Sequence, residues 1–540
     1  MKKNLIILIF LSAAGSFLFA QTGKFMKNDL HQHTTFSDGT YSLSTMMYMS
    51  NKYGLDFWAN CDHGGSSARD GFGPLWTTPP FTKDTAWNEA GDSKWWDSYN
   101  PNPIKGSILF GKNKHQRMWR WQSIKEYCFP QLVIVRKKYE PKIILQSLEW
   151  NMPGHEHVAV TILSKQFCGK PNSDALAEFE YKFDSADNDS LGGNEFGWTK
   201  DMKHDHKKSI DALKWLRTNY PYDSYALLNH PERRKRYTAS DIREFNDAAP
   251  DIIFGHEAIP GHQKYEIKCD YQKGKTEGDC TYGGTGIYLS KIGGLWDALL
   301  SEGRHWWVFT NSDCHSVGKA NDMSDGEDFW PGEFAKNHTF VKSENNPEEI
   351  ISGLRSGNTW IVTGDLIDSL DFRINNSVMG STAMPINGEI TIKILARDPQ
   401  SNNHNTYSDY RNPILDHIDL IAGEIYEKYK PGTPEYSITE NRSTKVIARF
   451  DACGNSIDSK GLVSKKWIEK PNGIKEITFT IENISKNMYF RLRGTNHKLD
   501  TENETDGEGN PLPDDLVKNS AANSFADLWF YSNPVFIKIQ

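Results

Sequence analysis

Six short stretches of this chain gather residues able to hold metal ions: "DLHQHTTFSDG", "NCDHG", "SLEWN", "HEHVAV", "LLNHPE" and "TNSDCH". In an extended segment, side chains two apart point to the same side. His31 and His33, and likewise Asp313 and His315, can therefore each aim two ligands at one point. One such pair is weak evidence, because a polar strand end produces it by chance. Here the pairs stand beside Asp38, His63, Glu149, His157 and His230, nine candidates in all. Nine imidazoles and carboxylates gathered in one place are unfavourable without cations to compensate them. A mixed set of this kind suits Zn, Mn or Fe better than Ca or Mg.

Other polar groups lie close to these in sequence. "HPERRKR" puts Arg233 and Arg234 just after His230, either as charges for phosphoryl oxygens or as a solvated turn. "FGHEAIPGHQKYE" supplies His256, Glu257 and His262, which suit hydrogen-bonding supports for ligand histidines. His262 is in addition a candidate general acid for a leaving group. "KHDHKK", with His204 and His206, precedes a helix in a charged loop and reads as solvent-exposed.

The elements that must position these residues are legible in outline. From Asp29 to about Ile361, helical patterns such as "SIDALKWLRTNY" and "GGLWDALLSEG" alternate with apolar runs such as "YALLNH" and "HWWVFTNSDCH". Such alternation predicts an α/β fold, a parallel sheet or barrel with outer helices. Its chemistry sits at the C-terminal ends of the strands. After Gly364 the pattern changes to period-two segments, among them "GEITIKILARD" and "NMYFRLRG", which predict an antiparallel β-sandwich over 365–540. Three of the 17 histidines (His404, His417, His497) fall there, so the chemistry belongs to 21–364.

The motifs, taken in order, resemble those of the polymerase and histidinol phosphatase (PHP) superfamily over roughly residues 28–320. The resemblance implies a distorted (β/α)7 barrel holding two or three divalent metals. His31, His33, Glu149 and Asp313 would hold one, and Glu149 would share a second with His157 and His230. Asp38, His63 and His315 would hold the third. It implies hydrolysis of a phosphate ester by a hydroxide bridging the metals, with Glu149 and Asp313 at its centre. "GHEHVAV" offers both His155 and His157; the "VAV" after His157 resembles the strand that follows the family histidine, which leaves His155 a supporting role. Glu149 follows His63 by 86 positions, longer than a minimal barrel of this family needs. The Trp-rich insert, about 64–140, is either an extra packing layer or a lid from which Arg117 or Arg120 reaches a substrate.

Bulk composition sets the remaining bounds. At 540 residues, with 37% hydrophobic and 12% aromatic residues, the chain has material for two packed domains. A net charge of −8 argues against a nucleic-acid partner and leaves a small phosphorylated substrate open. Lys2 and Lys3 followed by "LIILIFLSAAGSFLFA" read as a cleavable secretory signal over 1–20, hence a periplasmic or secreted protein with no stable membrane span. Seven cysteines leave at least one unpaired within the chain; Cys269 and Cys280 could close a loop. Cys61 and Cys314, each beside a candidate ligand, read more simply as core residues. Two rival functions remain. The same metals could hydrolyse a carboxyl ester, carbamate or amide, or the chain could be a non-catalytic binding protein whose β-domain docks a partner.

Overall fold

A computed structural model describes residues 23–71, 96, 104–111, 114–163, 174–233, 236–264, 280–317, 328–400, 412–514 and 521–539. The expected signal segment, the Cys269–Cys280 loop and Arg234 fall wholly or partly outside these.

Seven strands form a ring: β1 (Lys24–Asp29), β2 (Phe57–Asn60), β3 (Ile143–Asn151), β4 (His157–Ile162), β5 (Ser224–Leu228), β6 (Ile253–Ile259) and β7 (Trp307–Thr310). Each pairs with the next in chain order. Past its last residue β7 returns to the extension of β1, where Asp313 N–H donates to the His31 carbonyl at 2.9 Å and His33 N–H to the Cys314 carbonyl at 3.0 Å. The strands are largely buried on both faces, as strands between a core and outer helices must be. Every residue of β2, β5, β6 and β7 is buried.

One expectation is corrected here. The ring is not all parallel, because β4 runs antiparallel to both β3 and β5. Five residues, 152–156, join β3 to β4, with Gly154 at φ +80 turning the chain. A parallel connection needs a dozen or more residues to cross back over the sheet, so this turn can make only a hairpin.

Helices α1 (Leu43–Lys52), α2 (Phe129–Tyr139), α3 (Asp174–Phe183), α4 (His206–Asn219), α5 (Ala239–Ala248) and α6 (Leu295–Leu300) lie between successive strands. Their starts are written locally. Ser42 caps α1 by accepting from Thr45 N–H, and Thr238 with Asp241 forms a reciprocal capping box on α5. In the described part of the Trp-rich insert, Trp96, Trp119 and Trp121 are buried, and each indole N–H is hydrogen-bonded. Those tryptophans are a packing layer. "PLWTTPPF" lies outside the described residues.

The sheet does not end with the ring. Strands β8 (Ala335–Val341) and β9 (Thr359–Thr363) extend it antiparallel from β1. β9 then pairs with β14 (Trp529–Ser532), and the path runs on through β13 (Met488–Thr495) and β11 (His417–Glu424) to β12 (Lys445–Asp451). A separate antiparallel sheet is built on β10 (Ile390–Arg397), where Ile390, Ile392, Ile394 and Ala396 face inward and Lys393 and Leu395 outward. One continuous apolar core reaches from the ring strands into both C-terminal sheets. A buried ion pair joins the halves: Arg491 donates through Nε and Nη2 to the two oxygens of Asp297 at 2.9 and 2.8 Å.

Candidate metal centre

All nine candidate ligands meet at one mouth of the ring. His31, His33 and Asp38 follow β1, His63 follows β2, Glu149 lies near the end of β3, His230 follows β5, and Asp313 and His315 follow β7. His157 joins them as the first residue of β4, because that strand is reversed and begins where its neighbours end.

The contacts fall into three overlapping groups, two of them on Glu149. In the first, the Nε2 atoms of His31 and His33 each lie 3.1 Å from Asp313 Oδ1, and 3.3 and 3.2 Å from the Glu149 oxygens. In the second, His157 Nδ1 and His230 Nε2 lie 2.9 and 3.1 Å from Glu149 Oε1, and His63 Nδ1 lies 2.8 Å from Oε2. The third surrounds the exposed Asp38, within 3.4 Å of His33 Nδ1 and His315 Nε2 and 3.3 Å of His63 Nε2. The imidazole of His63 thus spans two groups, one nitrogen toward each.

These donors fit a divalent cation better than they fit one another. Glu149 Oε2 and both oxygens of Asp313 are buried and accept no hydrogen bond, although imidazole nitrogens stand about 3 Å away. His31 shows why. Its Nδ1 faces Glu257 Oε1 at 2.8 Å, and a carboxylate only accepts, so the hydrogen sits on Nδ1 and a lone pair on Nε2. His315 is set the same way by the Asp313 carbonyl, 2.8 Å from its Nδ1. Lone pairs aimed at shared points are what a cation binds.

Electrostatics agree. Burial alone would raise the Glu149 carboxyl, yet His157, His63 and His31 outweigh it and hold it well below the usual range. Burial would likewise lower His63, but Glu149 and Asp38 override it and push it up to about 10. Backbone strain gathers here too. His230, His262 and Asp313 have φ of +30, +60 and +44, conformations that cost non-glycine residues about 1–3 kcal/mol each.

The supporting residues sort differently from expectation. Glu257 is fully buried and accepts from His31, from His230 N–H and from Asn311. His262 lies at the site: its Nδ1 is 2.6 Å from Asp328 Oδ1, and its Nε2 is 3.3 Å from Asp313 Oδ2. Several expectations are corrected. His256 alternates to the other side of β6 from Glu257, where its Nδ1 accepts from the Trp306 indole at 2.9 Å and burial pushes it down to about 3. His155 orients none of the nine, because its ring turns toward His206 and Tyr237. His206 is half-buried rather than solvated. Arg120 is no substrate arm: it is 1% exposed, with Asp62 Oδ2 3.4 Å from its Nη2. Arg117 lies in the insert hairpin, its Nη2 3.5 Å from the Ser66 carbonyl. Arg233 sits one turn past His230, its N–H bonded to the His230 carbonyl at 3.0 Å.

Sequence reasoning missed three residues. Asp62, adjacent to His63, accepts from Thr34 N–H and the Thr34 and Ser37 hydroxyls at 2.7 Å each, which braces the turn between His33 and Asp38. Asp328 accepts from the His315 and Ser316 amides besides orienting His262. Arg69 holds the same turn as Asp62 from outside, through the Ser37 and Gly39 carbonyls. Only Asp62 had a sequence signal, its place in "NCDHG". Cys61 and Cys314 are buried, and burial pushes both thiols well up, which suits core residues rather than thiolate ligands.

The fold and site together define a mixed α/β protein whose strand ends gather a buried His/Asp/Glu cluster able to hold divalent metals. No family model and no curated protein matches the sequence. Among solved structures, a two-domain protein containing a predicted PHP-like metal-dependent phosphoesterase from Bacteroides vulgatus ATCC 8482 aligns at TM-score 0.34 and 10% identity. The alignment covers 91% of this chain and 94% of that one. A likeness of that size decides nothing about this chain.

Proposed function

We propose that this chain is an exported metal-dependent phosphoesterase, its ring a distorted (β/α)7 barrel and its C-terminal sheets a β-sandwich packed on it. The observation that carries this reading is the convergence of nine imidazole and carboxylate groups, Glu149 among them, at one mouth of the ring, with buried carboxylate oxygens that accept no hydrogen bond. Bound there, divalent Zn, Mn or Fe lowers the pKa of water and neutralises phosphoryl oxygens. His31, His33, Glu149 and Asp313 would hold one ion, Glu149 with His157 and His230 a second, and Asp38, His63 and His315 a third.

The chain's own groups do the rest. Glu257 and the Asp313 carbonyl keep the hydrogens of His31 and His315 on Nδ1, so that both Nε2 atoms stay free to ligate. Asp328 holds His262 so that its Nε2 can carry a proton to the leaving oxygen of a phosphate ester. Arg69, on the turn beside Asp38, and Arg233, just past His230, would offer charge to the equatorial oxygens. The sequence of the first twenty residues supports a periplasmic or secreted location.

Metal analysis of the purified protein, followed by a panel of phosphomonoesters and diesters, tests the proposal. Wild type is expected to hold divalent metal and to release an alcohol with phosphate from monoesters, or an alcohol with a phosphomonoester from diesters. Asp313→Ala and His31→Ala should each lose metal and at least 100-fold of the activity, in line with the loss of a metal-positioned nucleophile. Full activity in both variants, or turnover of acyl esters without any phosphate ester, overturns it.

A further inference from the structure

A second, smaller set of ligand-type side chains lies away from the nine. His155 comes from the turn between β3 and β4, His206 from the first residue of α4, and Asp241 from the first turn of α5. Their donor atoms all lie within 4.8 Å of one another.

Hydrogen placement makes this set unusual. His155 Nδ1 lies 3.0 Å from the Arg236 carbonyl, which only accepts, so Nδ1 carries the hydrogen and Nε2 a lone pair. His206 Nε2 lies 2.8 Å from Glu244 Oε2, which also only accepts. A neutral His206 therefore has its hydrogen on Nε2 and a lone pair on Nδ1. Those two lone pairs, His155 Nε2 and His206 Nδ1, face each other at 2.8 Å. Such an approach needs a positive centre between them, either an extra proton or a metal ion.

Asp241 adds a third group suited to a metal ion. Its Oδ2 is used in the α5 capping box, whereas Oδ1 is turned toward the histidines, 3.6 Å from His206 Nδ1. In a tetrahedral zinc site with bonds of about 2.0–2.1 Å, ligand atoms stand roughly 3.3 Å apart. The separations of 2.8 and 3.6 Å bracket that value. Both α4 and α5 begin here, and the fields of two helix N-termini oppose any cation. Asp241 and Glu244 supply two negative charges to outweigh them. The side chains of His206 and Asp241 are 32% and 22% exposed, which leaves a fourth position open to water.

We propose that His155, His206 and Asp241 form a separate binding site for a borderline divalent cation, Zn2+ by ligand chemistry. A cation there would tie the turn before His157 to the starts of α4 and α5. The site stands whatever bond the main cluster cleaves.

Zinc content per chain tests it. Wild type and the double variant His155→Gln/His206→Gln are stripped with a chelator, reloaded with Zn2+, dialysed and analysed for metal. The double variant is expected to hold one equivalent fewer while keeping the remainder. In the Glu149→Ala/His63→Ala background, which takes a ligand from each of the three groups of the main cluster, Co2+ should still give one visible-absorbing equivalent that His206→Gln abolishes. Should the double variant fail to fold by circular dichroism, the single variant His206→Asn carries the same comparison. Equal zinc content in wild type and folded variant overturns the site and assigns the contact to a shared proton.

Discussion

At the scale of single residues, the centre depends on groups that never touch a metal. Glu257 is the strongest case, because one buried carboxylate sets the His31 tautomer and accepts from the His230 backbone. Glu257→Gln keeps the size and loses the charge. It is expected to weaken metal affinity about 10–100-fold, read by competition with a chromophoric chelator, while far-UV circular dichroism stays unchanged. Wild-type affinity in this variant would mean that Glu257 only fills space. The ligand types were legible in the sequence, because His-x-His and Asp-x-His act through a local rule of alternation. The orienting residues were only partly so. Glu257 was visible beside a strand end, but Asp328 and Arg69 act across the fold, with no spacing that marks them.

At the scale of elements, the mouth depends on how closely neighbouring strand ends approach. Gly261, just past β6, has no room for a side chain: a Cβ there would lie 2.2 Å from the Ser312 carbonyl oxygen and 2.4 Å from Asp313 Cβ. Gly261→Ala must therefore move the segment that carries Asp313. The expected outcome is a folded protein with reduced metal content and at least tenfold lower activity, checked by metal analysis beside a thermal melt. Unchanged metal content would show that the Asp313 segment yields without consequence. The element order was readable from the switch between helical and strand periods. The reversal of β4 was not, since a buried apolar run reads alike in either direction.

At the scale of the whole molecule, the two halves share a sheet and a core rather than a linker. Asp297 lies between them, accepting from Arg491, from the Tyr489 hydroxyl at 3.1 Å and from Gly293 N–H at 2.7 Å. Asp297→Ala leaves the buried Arg491 without its counter-charge, which costs about 3–5 kcal/mol. Urea unfolding followed by both tryptophan fluorescence and circular dichroism should show one transition shifted to lower urea. Two separate transitions would mean that the halves fold independently.

The sequence by itself determined which residues could ligate metal, that strands and helices alternate before Gly364, and that period-two strands follow it. These are local properties, written in side-chain chemistry and in repeats of two or 3.6 residues. Only the tertiary structure showed where β3 ends and β4 begins, and hence that the five-residue turn between them runs β4 backwards and brings His157 to the mouth. It alone buried Arg120 against Asp62, turned His256 away from the site and set His155 against His206, 51 positions along the chain. Those outcomes depend on which distant segments pack together, and packing is settled by the shape of the whole core rather than by any one stretch of residues.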